Sequence, residues 1–208
     1  MTAAPAALKS PPRSWMRTRR AVFWVAVAAL IGCALGMAAP ARAEAASDGP
    51  QLGVSEIFWT LDWGAGLYSL IAASPQYIGE HVVVYVSDSG WLSPYLIEQL
   101  GTAFDTAIYP ALTEAFGPEP NPGIDGDPRV AILVYNFNDP REDVDGSFNF
   151  RDIDPDGSPY TNRREMLYLN LQALLNEPGL GPTLAAHEFT HLIAYYRDVM
   201  LDPSPYAA

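Results

Sequence analysis

Near the end of the 208-residue chain, His187, Glu188 and His191 form the pattern H-E-x-x-H. No other stretch restricts the fold as tightly, because the pattern has a use only on an α-helix. There, residues four apart lie on one face about one turn apart, and two imidazoles can reach one metal ion. Glu188 projects from the flank of that face, where a carboxylate contacts a metal-bound water without filling a ligand position. Leu184, Ala185 and Ala186 precede the motif and Leu192, Ile193 and Ala194 follow it, so the helix is largely apolar and packs inward. The chain holds three histidines, and two of them in a buried helix without a shared partner carry a desolvation cost. His187 and His191 are therefore candidate zinc ligands, and Glu188 is the candidate general base.

The other end of the chain concerns targeting. A basic segment with Arg13, Arg17, Arg19 and Arg20 leads into an uncharged apolar run, residues 21–39, and Ala41-Arg42-Ala43 supplies an A-x-A cleavage site. Residues 1–43 thus have the form of a secretory signal peptide. Two alternatives stand beside cleavage after Ala43. Residues 30–33 resemble a lipobox ending at Cys33, the single cysteine, and the apolar run is long enough to remain as an anchor. Each alternative puts the folded part outside the cytoplasm: secreted, or held at the cell surface as a lipoprotein or by an N-terminal anchor.

Residues 1–43 also hold six of the twelve Lys+Arg and none of the 24 Asp+Glu, so the remainder carries a formal charge of −18 and no lysine. Such a surface repels nucleic acid and anionic membrane. Neither is expected as a partner, and membrane attachment would depend on lipidation at Cys33 or retention of residues 21–39. With no cysteine beyond position 33 an internal disulfide is ruled out, so packing or metal ions must do any stapling. After a short linker at residues 44–53, residues 54–208 suffice for one core.

Along that region, residues 54–60 alternate as a strand, residues 62–66 supply turn chemistry, and residues 67–73 return. Residues 81–86 form an unbroken β-branched and aromatic run, the mark of a strand buried on both faces. His81 at its start is read as a structural or surface histidine. Ser93 and Pro94 cap and begin a helix with Ile97, Leu100, Phe104, Ile108 and Leu112 on one face. Pro110 predicts a kink or break in it, and Gly117-Pro118 its end. Residues 118–128 are a Pro/Gly/Asp loop, residues 130–135 another apolar strand, and residues 136–164 the most polar stretch. Residues 166–170 are a short strand. Pro182 and Thr183 open the motif helix, which is expected to run to Arg197 or Asp198, with Pro203 forbidding continuation. The composition of elements is α+β.

Within the polar stretch, Asp152, Asp154 and Asp156 alternate before Gly157, as in the first half of a calcium loop. Arg163 stands where an EF-hand places its glutamate, so a calcium site here needs another geometry. The competing reading is a solvated acidic turn, and Asp125 and Asp127 invite the same two readings.

Several stretches together resemble the secreted neutral zinc metallopeptidases of the hyicolysin type, in the glutamate-zinc (gluzincin) group. They are Phe58-Trp59, residues 79–81 (GEH), 116–129 (FGPEPNPGIDGDPR), 164–168 (REMLY) and 186–192 (AHEFTHL). The loop before Arg129 and the motif helix are the most specific. The resemblance implies a zincin-like fold with a thermolysin-like N-terminal subdomain, a mixed sheet packed on a kinked helix and on the motif helix. It implies zinc bound by His187 and His191, with Glu188 as base. It also implies a polypeptide substrate laid along residues 166–170 as an edge strand, with Tyr168 and Asn170 as substrate contacts.

In one respect the chain departs from that pattern. Such enzymes take a third ligand, a glutamate, from a second helix beyond the second histidine, and no glutamate follows His191. Asp198 lies seven positions on, pointing along the helix face, and Asp202 reaches the metal only if the tail folds back. Ala194 and Arg197 occupy the glycine and third-histidine places of the extended H-E-x-x-H-x-x-G-x-x-H pattern. The expectation is an incomplete catalytic domain that lacks its C-terminal subdomain. Three functions follow: an exported zinc endopeptidase or a piece of one, a catalytically inactive binding domain on a peptidase fold, or a metallohydrolase acting on another bond.

Overall fold

The apolar runs that the sequence marks as strands become the middle of one sheet. The computed structural model describes residues 49–141, 143–154 and 158–201. The chain divides after Ser47, and every described residue belongs to the second unit. Six strands form the sheet: β1 (Glu56–Asp62), β2 (Leu67–Ile78), β3 (Val82–Ser87), β4 (Val130–Tyr135), β5 (Gly146–Phe148) and β6 (Met166–Asn170). Their spatial order is β1-β2-β3-β4-β6-β5. Of the four inner strands, β3, β4 and β6 run parallel, while β2 and the two edges, β1 and β5, are antiparallel to their neighbours. The α+β class follows directly.

Every residue of β3, β4 and β6 is buried, as expected of strands covered on both faces. Their side chains alternate between two apolar clusters. Val82, Val84, Val86, Ile132, Val134, Leu167 and Leu169 face the helices. Val83, Tyr85, Leu133, Tyr135, Met166 and Tyr168 face the other side, where Phe58, Phe137 and Ile71 cover them.

Among the described residues four α-helices accompany the sheet: α1 (Pro94–Ala103), α2 (Tyr109–Phe116), α3 (Leu171–Asn176) and α4 (Gly181–Tyr195). Ser93 caps α1 by accepting from the Leu96 amide. A π-helical segment, Phe104–Ile108, joins α1 to α2, just ahead of Pro110. Proline lacks the N–H that an α-helix requires, and a wider turn absorbs that loss, so the expected break takes the form of a π-bulge. Gly117, at φ +89°, ends α2. Helix α4 buries Ala185, Phe189, Leu192 and Ile193 against the sheet. Each larger side chain contributes on the order of 1.5–3 kcal/mol. Phe189 packs on Phe104, with ring centroids 5.1 Å apart.

Several expectations need correcting. Strand β2 continues past Ala73 to Ile78, with a register shift between Pro75 and Tyr77 that accommodates a residue with no donor. Helix α3 was not anticipated; Asn170 caps it by accepting from the Gln172 amide. Helix α4 passes at Tyr196 into a second π-helical segment, Tyr196–Leu201. The most consequential correction concerns Met166–Asn170, which is no edge strand. It pairs with β4 on one side and β5 on the other, and the edge is Gly146–Phe148. A strand apolar at nearly every position belongs in the interior, where both faces are covered.

Among the described residues no helix is long and apolar enough to cross a membrane. The cleavage site, Cys33, residues 21–39, Asp156 and Asp202 lie outside the described residues.

Candidate metal centre

Helix α4 carries the motif on the face that meets β5. Phe189, Leu192 and Ile193 turn into the core, and the same helical period turns His187 and His191 outward, both exposed. Their Nε2 atoms lie 3.1 Å apart and the rings are nearly perpendicular, at 82°. Zinc–imidazole bonds of about 2.0–2.1 Å at a tetrahedral angle separate two ligand nitrogens by roughly 3.3 Å. At 3.1 Å the two nitrogens are within direct hydrogen-bond distance of each other, a few tenths of an ångström short of the spacing for a shared ion, and the exposed side leaves room for further ligands. Asp198 lines the same cleft. Even so, among the described residues no three His, Cys, Asp or Glu side chains are grouped to hold a metal ion.

Glu188 sits between helix and sheet, only 6% exposed. Its carboxylate lies against Gly146, where an added Cβ would come within 2.8 Å of Oε1. The missing side chain at Gly146 is what lets the edge strand pass over the carboxylate. Burial raises the Glu188 pKa, while the two histidines and the main-chain N–H of Phe148 act in the opposite direction.

The cleft has a volume of about 590 Å³ and is bounded by Gly146, Ser147 and Phe148 of β5 and by His187, Glu188, His191 and Ala194 of α4. Phe150 and Tyr195 form its aromatic rim, with ring centroids 5.2 Å apart. The sequence reading missed this strand and rim. A weak signal was present, since Phe148 and Phe150 alternate after Gly146 within a polar stretch.

The other candidates lie elsewhere. Tyr168 is on the sheet face away from α4, and its hydroxyl donates to Asp152 Oδ2 at 2.5 Å. Asn170 is buried, caps α3 and donates to the carbonyl of Val144. Neither lines the cleft that holds the histidines. Asp152 is fully buried at the end of a 3-10 turn, Phe150–Asp152. Its Oδ1 accepts from the Asn162 amide at 2.7 Å. Asp154 lies beyond the end of that turn, half-buried. His81 stacks on Tyr109 at 3.9 Å, and its main-chain N–H is bound by Asp105, a structural setting.

Compared with known proteins, the chain matches no protein-family model and no curated protein.

Proposed function

We propose that this chain carries the catalytic helix of an exported zinc-dependent endopeptidase with a zincin-like arrangement of sheet and helix. The observation that carries the reading is the pairing of two exposed imidazole nitrogens 3.1 Å apart with a buried glutamate one residue after the first. His187 and His191 would hold the ion, and bound zinc supplies Lewis-acid chemistry, polarising a carbonyl and acidifying a water. Glu188 takes the proton of the attacking water and returns it to the leaving amine. Its position against β5 keeps the carboxylate beside the histidines without exposing it to bulk solvent. The unpaired outer edge of β5 accepts an extended polypeptide by strand addition, and its main-chain groups set the scissile bond along the cleft. This role falls to Gly146 and Ser147, since the main-chain N–H of Phe148 is turned to Glu188.

The test combines zinc binding with proteolysis of an unfolded protein substrate. His187→Ala and His191→Ala should each abolish zinc binding. Glu188→Gln should retain zinc and lose hydrolysis by 100-fold or more, the order of a general-base contribution (about 10²–10⁴). A Glu188→Gln protein that cleaves at the wild-type rate refutes the assignment. The absence of a third ligating side chain near the pair among the described residues favours a second reading, an inactive binding domain. Wild-type protein that binds zinc only weakly and cleaves nothing would establish that alternative.

A further inference from the structure

Outside the cleft that holds the histidines, the loop of residues 118–128 lies over two glutamates. Glu119 and Glu165 are each only 2% exposed. One oxygen of each carboxylate is bound. Glu119 Oε1 accepts from the Tyr109 hydroxyl at 2.9 Å, and Glu165 Oε1 accepts from the Ile124 amide at 3.0 Å. The second oxygen of each, Oε2, is buried with no hydrogen-bond partner among the described residues. The two carboxylates meet the same loop: Glu119 belongs to it, and Glu165 is held by the amide of Ile124 within it.

Nearby cations are already committed. Arg164 pairs with Glu56 and Asp125, and Arg129 with Asp127. No ion pair among the described residues reaches Glu119 or Glu165. Two buried carboxylates without a counter-charge are among the most expensive arrangements a core can hold. The backbone nonetheless is shaped to make it. Gly123 adopts φ +80°, and a Cβ there would overlap Glu165 Oε2. Only glycine allows the loop to lie on the carboxylate.

We propose that Glu119 and Glu165 bind one divalent cation, calcium, beneath the loop of residues 118–128, and that this ion fastens the loop to the start of β6. A single divalent charge balances both carboxylates, and both orphaned oxygens become ligands. A proton does less. It would neutralise one group and leave the other charged, whereas a divalent ion balances both. Calcium takes roughly six to eight oxygens and mixes carboxylates with main-chain carbonyls and water. That mixture suits a pair of glutamates with no third ligating side chain grouped beside them among the described residues. Magnesium keeps most of its water in strict octahedral geometry and suits a buried, loop-covered pair poorly.

The test uses the full chain, stripped of metal and returned to a fixed zinc concentration. Calcium chloride is then titrated by calorimetry and its effect on the melting temperature followed. One calcium should bind per chain and raise the melting temperature in proportion to log concentration well above Kd. Glu119→Gln and Glu165→Gln should each weaken calcium binding at least tenfold. Without calcium, Glu165→Gln should melt no lower than the wild type, because the amide removes an uncompensated charge; this guards against reading a folding defect as a lost site. His187→Ala should keep the calcium response. A wild-type melting temperature that ignores calcium, or rises only on acidification through the Glu165 pKa of about 7, overturns the proposal in favour of a bound proton. A calcium response that survives both substitutions overturns it too, by placing the ion elsewhere, as in the loop after Asp152.

Discussion

Replacing Tyr168 by Phe tests whether Asp152 is a structural anchor. The hydroxyl of Tyr168 donates to Asp152 Oδ2 at 2.5 Å and accepts from Asn162 Nδ2 at 2.8 Å. Asn162 in turn clasps the main chain of Trp59 in β1, with its Oδ1 on the amide at 2.8 Å and its Nδ2 on the carbonyl at 2.9 Å. Tyr168→Phe removes one oxygen, which leaves the buried Asp152 Oδ2 short of a donor and the half-buried Asn162 Nδ2 with the Trp59 carbonyl alone. Hydrogen bonds to a charged group contribute about 1.5–3 kcal/mol and an unsatisfied buried group costs about 1–3 kcal/mol, so the loss at pH 7.5 should be about 2–4 kcal/mol after partial relaxation.

The pH dependence sharpens this prediction. Burial pushes the Asp152 carboxyl from 3.8 up to about 6, against the opposing pull of the Asn162 amide and the Tyr168 hydroxyl. A raised acid pKa means that the folded state holds the proton more tightly than the unfolded chain. The stabilisation from protonated Asp152 is therefore fully present below about pH 4 and is lost as pH rises through about 6. At pH 4.5 the carboxyl is neutral in the fold, and the substitution forfeits only an ordinary hydrogen bond of about 1 kcal/mol. At pH 7.5 it is ionised, and the full loss appears. Urea unfolding of wild type and variant, followed by tryptophan fluorescence at both values, measures the difference. Equal losses at the two pH values would refute the ionised network, and a loss below about 0.5 kcal/mol at pH 7.5 would refute the network altogether.

Two other substitutions probe neighbouring parts. Arg164 reaches Glu56 through Nη1 and Nη2, both at 3.1 Å, and Asp125 through Nε at 3.1 Å. Arg164→Lys keeps the charge but satisfies only one of the two carboxylates, so urea unfolding should show a loss of about 2–4 kcal/mol; a loss within experimental error would mean that the fork geometry is dispensable. Gly146→Ala drives a methyl group to 2.8 Å from Glu188 Oε1. The carboxylate should shift and zinc affinity stay put, while proteolysis falls by about 10–100-fold, the order expected for a misplaced catalytic group; unchanged proteolysis would detach Glu188 from the chemistry.

How much of this was legible in the sequence depended on whether a signal was local or needed a partner. The fully buried strands announce themselves through composition alone, because Val82–Ser87 and Val130–Tyr135 have no face to spare for water. Helix α4 was equally plain, from its apolar period and the H-E-x-x-H spacing. Met166–Asn170 reads as a strand from its own residues, but its neighbours do not, since pairing on both sides is a property of the sheet and not of five residues. Its real neighbour, Gly146–Phe148, is too short for period-two alternation to stand out among the aspartates and asparagines around it. The same limit hid the cluster under the loop of residues 118–128. Glu119 and Glu165 lie far apart in sequence, each beside ordinary polar residues, and neither matches a metal-binding spacing. Asp152, Asp154 and Asp156 match one well, yet Asp152 turns inward to Tyr168. Spacing along a chain points to a candidate site only when one helix or one loop supplies its residues, as α4 does for the proposed site of His187, Glu188 and His191. Where ligands converge from separate elements, the telling observation is a buried charge with nothing opposite it. That becomes visible only once the chain has folded.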